Sequence, residues 1–245
     1  EVQLNETPDK QISLTDPDSR SMATSGRGSG VVGYNVQVAV DTKHHLIVTH
    51  EVTNSGSDRA QLVNMAKQAK AVLKTETLEA VADRGYFSSL QILACHEAGI
   101  TVTLPKPQTS GAKSDGRFGK QGFVYLPEED AYRCPAGEQL PYRFTSEEDG
   151  KRIRRYWTNA CQNCSLKSQC TTGPERRIPR WEHEHLLDAV QQRLDANPLA
   201  MRQRDGDRRR QAHVIGRLQV PVQRLLKPED IVRFHRMGEP DTLLY

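Results

Sequence analysis

The sequence lacks any long apolar run, and no stretch approaches the roughly 18 residues that a membrane-spanning helix needs. It also lacks a charged start followed by an apolar centre, so no secretory signal peptide is expected. Only 36% of the residues are hydrophobic, and we expect most of the core in the first half of the chain. The chain opens with Glu1-Val2-Gln3 rather than Met, which predicts that an upstream segment is missing.

Cysteine is scarce as well, with 5 residues in 245. An odd number without a secretory signal argues against a disulfide scaffold and predicts a reducing, cytoplasmic setting. The excess of positive charge is small, with a net charge of +3, which by itself does not identify a polyanionic partner. The basic residues are nevertheless clustered, in the groups Arg152, Arg154 and Arg155; Arg176, Arg177 and Arg180; and Arg208, Arg209 and Arg210.

The hydrophobic pattern of the first half alternates between strands and helices. Residues 1–30 are polar and rich in Gly and Ser, which predicts a flexible lead-in. Apolar periodicity then predicts, in order, a strand at Val31–Val40, a strand at Leu46–Val52, a helix capped by Asp58, a strand at Leu78–Asp83, a helix from Ser88 or Ser89, and a strand at Ile100–Leu104. This alternation favours an α/β sheet covered by helices over residues 31–105.

The composition changes after Pro105. Residues 106–180 carry four of the five cysteines and few long apolar patterns, which predicts a small Cys-rich insertion. Helical spacing returns at residues 181–204, with Leu186, Leu187, Val190 and Leu194 on one face. Residues 205–245 are rich in Arg and have no clear period, so we interpret them as a divergent basic tail.

Asp83 is the residue that most directly suggests catalysis. It ends a short apolar strand and is followed by Arg84-Gly85-Tyr86. Active sites of α/β proteins cluster at the carboxyl ends of strands, and carboxylates held there bind Mg²⁺ or Mn²⁺. The competing interpretation is that Asp83 only forms a turn or caps a helix. Asp16, Asp18, Asp41 and Asp58 are interpreted as turn or cap residues and are left out of the catalytic set.

The spacing of Cys134, Cys161, Cys164 and Cys170 predicts a structural zinc site. Zn²⁺ takes four thiolates at tetrahedral corners, and Cys161 and Cys164 form one Cys-x-x-Cys knuckle. The alternative is four unrelated reduced thiols or two adventitious disulfides. Cys95 lies in an apolar helical stretch and is expected in the core. His183 and His185 are expected to be solvated at the start of a helix.

The run Lys151–Trp157 alternates cationic and bulky residues, with Arg152, Arg154 and Arg155 separated by Ile153 and followed by Tyr156 and Trp157. Lys and Arg bind phosphates without sequence preference, and aromatic rings stack on unpaired bases. A solvated basic face is an equal alternative at this point. Arg208–Arg210 are given no role.

Three segments resemble a known family. Val81–Ser88 (VADRGYFS) looks like the second-aspartate motif of bacterial insertion-sequence transposases of the DDE type. Gly33–Asp41 resembles the strand that precedes this motif, and Thr15–Arg20 is similar to the lead-in motif of the same enzymes. The resemblance covers about Ile12 to Arg204.

The resemblance implies an incomplete RNase H-like mixed sheet with flanking helices, interrupted by the Cys-rich insertion. It also implies transposition of a mobile element by DNA recombination, with Mg²⁺ or Mn²⁺ as cofactor and DNA transposon ends as partner. Asp83 would be the second acid of the catalytic triad and a metal ligand. Homo-oligomers, or mixed oligomers with an intact transposase, are further expected partners in a bacterial cytoplasm.

The sequence departs from the family pattern in two places. The Asp-Gly-Ser/Thr segment of the first acid does not precede Thr15, and the third acid does not follow Met201–Arg204. We therefore expect a truncated fragment with a frameshifted end that is inactive alone, because a two-metal site needs several carboxylates. The alternatives are a non-enzymatic module that binds DNA or a transposase, and a decayed reading frame without function.

Overall fold

The computed structural model describes residues 12–22, 31–42, 44, 46–107, 111–112 and 114–196, together with the backbone of residues 213–221. The chain divides into two compact units. The first consists of Glu1–Lys106 and Val190–Tyr245, and the second of Pro107–Ala189. The predicted lead-in at 1–30 and tail at 205–245 lie largely outside the described residues, as does the cluster Arg208–Arg210.

The first half of the chain supplies five strands and two helices. The strands are β1 (Arg20–Met22), β2 (Val31–Asp41), β3 (Ile47–Thr53), β4 (Leu78–Ala82) and β5 (Ile100–Thr103), and the helices are α1 (Leu62–Leu73) and α2 (Ser89–Glu97). The predicted alternation of strands and helices is confirmed, with element ends shifted by one or two residues. The start of the first helix was wrongly placed: Asp58 begins a separate 3-10 turn that Ser57 caps, and α1 starts four residues later.

The second unit contains an antiparallel sheet that the sequence did not predict. Its strands are β6 (Val124–Leu126), β7 (Ala131–Arg133), β8 (Gln139–Glu148), β9 (Lys151–Tyr156) and β10 (Ile178–Trp181), in the order β10-β9-β8-β7-β6. Its core consists of Phe123, Tyr132, Leu140, Tyr156 and Ile178. Helix α3 (Glu184–Ala196) follows, which confirms the helix predicted within residues 181–204.

Strand β11 (His213–Pro221) lies in the middle of the first unit's sheet, whose order is β1-β2-β11-β4-β5. Strand β1 pairs with the start of β2, and β3 pairs with β2 from Asn35 to Val40. Strand β11 runs antiparallel to β2 over its full length, from His213 opposite Asp41 to Pro221 opposite Gly33. It runs parallel to β4, with Ile215 opposite Ala82. The interpretation of residues 205–245 as a divergent basic tail without a clear period missed this strand, in which Val214, Leu218 and Val220 alternate with Arg217 and Gln219.

Buried apolar side chains hold the helices of the first unit against its sheet. Leu62, Met65 and Ala66 of α1 are fully buried, as are Ile92 and Cys95 of α2, which confirms the prediction for Cys95. Arg193 of α3 donates a hydrogen bond to the Val102 carbonyl of β5 at 2.8 Å. Within the described residues, no helix has the length and apolar character needed to cross a membrane.

Candidate active site at the carboxyl end of strand β4

Asp83 lies at the carboxyl end of β4, one residue beyond its last paired position. Its carboxylate caps the 3-10 turn Arg84–Tyr86 and accepts a hydrogen bond from the Gly85 backbone N–H at 2.7 Å. The carboxylate remains partly exposed. Asp83 therefore caps a turn, as one interpretation predicted, and it also stands at the carboxyl end of a strand, where α/β proteins bind ligands; its catalytic role stays a prediction.

Asp58 is the carboxylate that sequence reasoning missed. A Cβ atom built on Gly85 would lie 2.9 Å from Oδ1 of Asp83 and 3.3 Å from Oδ2 of Asp58. The two carboxylates therefore approach the same point of the backbone from two separate elements. Asp58 is only 8% exposed, which is unusual for an Asp that does no more than cap a turn.

Two buried amides on β2 hold the Asp58 carboxylate. Asn35 Nδ2 donates to Asp58 Oδ1 at 2.8 Å, and Gln37 Nε2 donates to the same oxygen at 3.0 Å. Gln37 Nε2 also donates to Asn35 Oδ1 at 2.8 Å, and the Tyr86 hydroxyl donates to Gln37 Oε1. Because Asn35, Gln37 and Tyr86 are fully buried, this network fixes Asp58 far more rigidly than a solvated carboxylate.

Two amide residues on the buried face of β2 are the sequence feature from which this network could have been predicted. The apolar periodicity that predicts the strand Val31–Val40 rests on Val36, Val38 and Val40, but these valines lie on the less buried face. The fully buried face carries Gly33, Asn35, Gln37 and Ala39. Two amides on the buried face of a central strand require buried partners, and the nearest are Asp58 and Tyr86.

The remaining acidic residues have the local roles that were predicted. Asp16 accepts hydrogen bonds from the Asp18 N–H at 3.2 Å and from the Tyr34 hydroxyl at 3.0 Å. Asp41 accepts from the His44 N–H at 3.1 Å, at the hairpin corner. Both patterns are typical of Asp in turns. The carboxylates of Asp16 and Asp41 therefore have structural contacts, and Asp18 takes part in its turn through its backbone N–H.

No third carboxylate joins Asp58 and Asp83 in the part of the chain that the structure describes, where no group of three or more His, Cys, Asp or Glu is arranged to hold a metal ion. Strand β11 passes beside this end of β4, and its sequence, HVIGRLQVP, contains no acidic residue. The two carboxylates would supply hard oxygen ligands of the kind that Mg²⁺ prefers, but two side chains leave most of an ion's shell to water and substrate.

In the second unit the four cysteines predicted to bind zinc converge. Cys134, Cys161, Cys164 and Cys170 line one cavity, next to Phe118 and Phe123 among other residues. All four are free thiols, so the disulfide alternative is not observed. Their side chains do not form a group of three or more ligands placed to hold a metal ion. The zinc assignment stays a prediction.

The surroundings of Cys170 affect any metal binding there. Burial raises the pKa of the Cys170 thiol, Arg176 lowers it, and the other three cysteines raise it. A metal must therefore displace a tightly held proton, and its affinity should fall as the pH falls. Cys134 and Cys170 also pack against the aromatic core, so these two of the four thiols are held by the core side of the cavity.

The three arginines of the basic run on β9 each pair with a different carboxylate. Arg152 pairs with Glu182 at 3.4 Å, Arg154 with Asp130, and Arg155 with Glu148. Tyr156 is fully buried in the core. The run is therefore not a continuous basic surface.

Two arginines of the next basic cluster, Arg177 and Arg180, pair with nearby carboxylates. Arg177 pairs with Glu175 at 2.6 Å and Arg180 with Asp188 at 3.0 Å. The His183 ring packs against Trp181 with centroids 5.1 Å apart, and His185 is exposed. Neither histidine lies in a metal-holding group among the described residues.

One comparison with known proteins gives a match. A family model described as Transposase DDE domain matches residues 7–218, which is most of the chain and includes Asp58, Asp83, the four cysteines of the cavity and most of β11. None of the curated proteins and none of the solved structures compared with the chain matches it.

Proposed function

Because the chain belongs to the transposase DDE domain family, we propose that it is part of an insertion-sequence transposase in which Asp83 is the second acid of the catalytic triad. The observation that supports this proposal is the position of Asp83 at the carboxyl end of β4, with Asp58 beside it. The family acts on DNA at transposon ends and uses divalent metal. In this proposal the first unit is an incomplete RNase H-like core and residues 106–180 are its Cys-rich insertion.

The proposed chemistry assigns each described residue a distinct task. A bound Mg²⁺ or Mn²⁺ would lower the pKa of the attacking water and neutralise the scissile phosphate. Asp83 would hold the ion through its carboxylate. The Gly85 N–H fixes one oxygen of Asp83, and the amides of Asn35 and Gln37 fix Asp58 beside it. Positioning of this kind before the substrate arrives is what electrostatic catalysis requires.

We further propose that this polypeptide does not cleave DNA alone. Only one of the three triad acids is matched in its sequence, and losing a carboxylate abolishes a two-metal site. Purified protein incubated with Mg²⁺ or Mn²⁺ and the ends of its own element should produce no nicked strand. Nicking by the unmodified chain would contradict the proposed inactivity.

A chimera tests the role of Asp83 directly. The chain would be joined to the segments that carry the first and third acids in an intact family member, and strand cleavage would be measured with Mg²⁺. Cleavage should appear and should be lost in Asp83→Asn. Asp18→Asn is the matched control, because Asp18 lies in an exposed turn, and it should cleave normally. Equal activity of the two variants would refute the assignment.

The alternative function is a non-enzymatic module that binds DNA or forms mixed oligomers with an intact transposase. The absence of a three-ligand acidic group among the described residues favours it. It predicts salt-sensitive DNA binding, or inhibition of an intact transposase in trans, by the Asp83→Asn chain as effectively as by the unmodified one. Loss of either activity in that variant would count against this alternative.

We propose that Cys134, Cys161, Cys164 and Cys170 hold a structural Zn²⁺ in the second unit. The support is the convergence of four free thiols on one cavity beside an aromatic core. Protein made with zinc present should contain about one Zn²⁺ per chain. Chelation should lower the melting temperature of the second unit, and Cys161→Ser should reproduce the effect. Cys95→Ser, which changes a buried thiol of the first unit, should retain the metal, and a zinc content near zero in the unmodified protein would overturn the proposal.

A further inference from the structure

An aromatic and cationic patch stands out on the hairpin of the second unit. We define the Trp157 patch as Arg143, Phe144, Trp157 and Arg177. The Phe144 ring meets Trp157 edge-on, with centroids 5.8 Å apart and planes at 76°. The Arg143 and Arg177 guanidinium carbons lie 5.6 Å and 5.0 Å from the Trp157 ring centroid. Both guanidinium groups therefore lie over the Trp157 ring, which Phe144 meets edge-on.

A β-bulge in β8 creates this arrangement. The register with β9 shifts between Tyr142 and Phe144, so Tyr142 is opposite Tyr156 and Phe144 is opposite Arg155. Tyr142 consequently packs on the buried Tyr156, whereas Phe144 packs on Trp157. Without the extra residue, Arg143, positions 142 and 144 would share one face. Bulges commonly redirect a side chain in this way at functional positions.

The exposure of the patch separates it from the aromatic core. Phe144 is 46% exposed and Trp157 is partly exposed, whereas Trp181 is only 5% exposed. Arg143 donates its Nε–H to the Trp157 carbonyl at 3.1 Å, which fixes the guanidinium beside the rings. Exposed rings beside fixed arginines are what unpaired nucleotides bind, because every base has a stacking face and every linkage has a negative charge.

We propose that the Trp157 patch binds single-stranded DNA, with bases stacked on Phe144 and Trp157 and a phosphate bound by Arg143, because Arg177 already pairs with Glu175. This deepens the proposed function, on which it rests, by naming where an unpaired stretch of a DNA end is held. The patch keeps only Trp157 of the basic run: Arg143, Phe144 and Arg177 lie outside that run, and Tyr156 within it is buried.

Tryptophan fluorescence tests the proposal on the full chain. The probe is a mixed-sequence 15-nucleotide oligomer, and the signal is quenching of the two tryptophans, which stacking on a base would produce. The oligomer should quench the wild-type protein and Trp181→Phe, because Trp181 is buried outside the patch. Trp157→Phe should lose most of the quenching. Full quenching in Trp157→Phe would overturn the proposal.

Affinity measurements compare two variants that each remove one aromatic ring from β8, Phe144→Ala and Tyr142→Ala. Phe144→Ala should weaken binding of the labelled oligomer by about tenfold, the cost of one lost stacking contact. Tyr142→Ala removes a ring of similar exposure, 39%, from the other face and should change affinity less than twofold. Arg143→Gln should lower the salt dependence by about 0.7 in the log–log slope. Phe144→Leu is the folding control. If this variant keeps the melting temperature of the unmodified protein and still binds the oligomer more weakly, misfolding is excluded as the cause.

Duplex DNA separates this proposal from the proposed function. If all variants bind a duplex transposon end equally and none binds the single strand, the patch proposal fails and the transposase assignment stands. If Phe144→Ala and Tyr142→Ala lose single-strand affinity equally, the patch proposal also fails. The cleavage test on Asp83 in the chimera is independent of either result.

Discussion

Gly85 leaves the space in which two carboxylates approach one backbone position. An added Cβ would meet Asp83 Oδ1 at 2.9 Å and Asp58 Oδ2 at 3.3 Å. Gly85→Ala should therefore displace the Asp83 carboxylate from its 2.7 Å hydrogen bond and destabilise the first unit by roughly 1–2 kcal/mol. Urea unfolding measures the change. Gly173→Ala is the control, because its nearest contact would be 3.7 Å, and a loss as large there would contradict the explanation.

Asp58 is the most consequential single residue of the buried network. Asp58→Ala would leave the Asn35 and Gln37 amides without their shared acceptor in a site where they are 0% exposed. We expect a loss of roughly 2–3 kcal/mol in the free energy of unfolding. Asp115→Ala, in an exposed pair with Arg117, should cost well under 1 kcal/mol. Similar losses in the two variants would show that the network does not stabilise the fold.

The contrast between Asp83 and Asp58 shows what could be predicted at this scale. Asp83 follows an apolar strand in the sequence, so its position at a sheet end could be predicted. Asp58 lies after a polar segment and resembles an ordinary cap. Its role depends on amides that are distant in sequence and come close only through the pairing of β2 in the sheet. Local sequence patterns do not contain that information.

Helix α2 introduces a pH dependence through its buried thiol. Burial raises the pKa of Cys95 from 9.0 to about 12. Above pH 9 the unfolded chain loses this proton while the folded protein keeps it, so stability should fall as the pH rises, by about 1.4 kcal/mol per pH unit until the folded thiol ionises. Cys95→Val should lack this part of the decline. Unfolding free energies at pH 8, 9 and 10 measure the difference, and parallel curves would contradict it.

Helices and strands with regularly spaced apolar residues could be predicted from the sequence. Strands that are defined mainly by their pairing with other strands could not. The strands at 31–41 and 78–82 and the helices α1, α2 and α3 follow apolar spacing, which the sequence displays. Arg and Tyr are the commonest residues in the strands of the second unit's sheet, and the apolar residues there do not follow a regular period. Its hairpin turns at Asp149 and Gly150, both with positive φ, and this pair is the one strong local signal of strand pairing there.

At the scale of the whole molecule, β11 determines whether the first sheet is continuous. Deleting residues 213–245 would leave the inner edges of β2 and β4 without the strand that pairs with both. We expect lower stability of the first unit and aggregation through these edges. Deleting only residues 222–245 keeps the strand and is the matched control. Size-exclusion chromatography and hydrogen exchange of β2 and β4 amides measure the effect, and equal protection in both deletions would contradict the pairing.

The position of β11 also reverses the relation between the order of synthesis and the order in space. The central strand of the first sheet is the last of its strands to leave the ribosome, so a nascent chain presents β2 and β4 with open hydrogen-bonding edges while Pro107–Ala189 is still being translated. The strands of that later segment pair only with one another and can therefore fold first. For the interval between the two events, the open edges of β2 and β4 are exposed to pairing with strands of neighbouring copies.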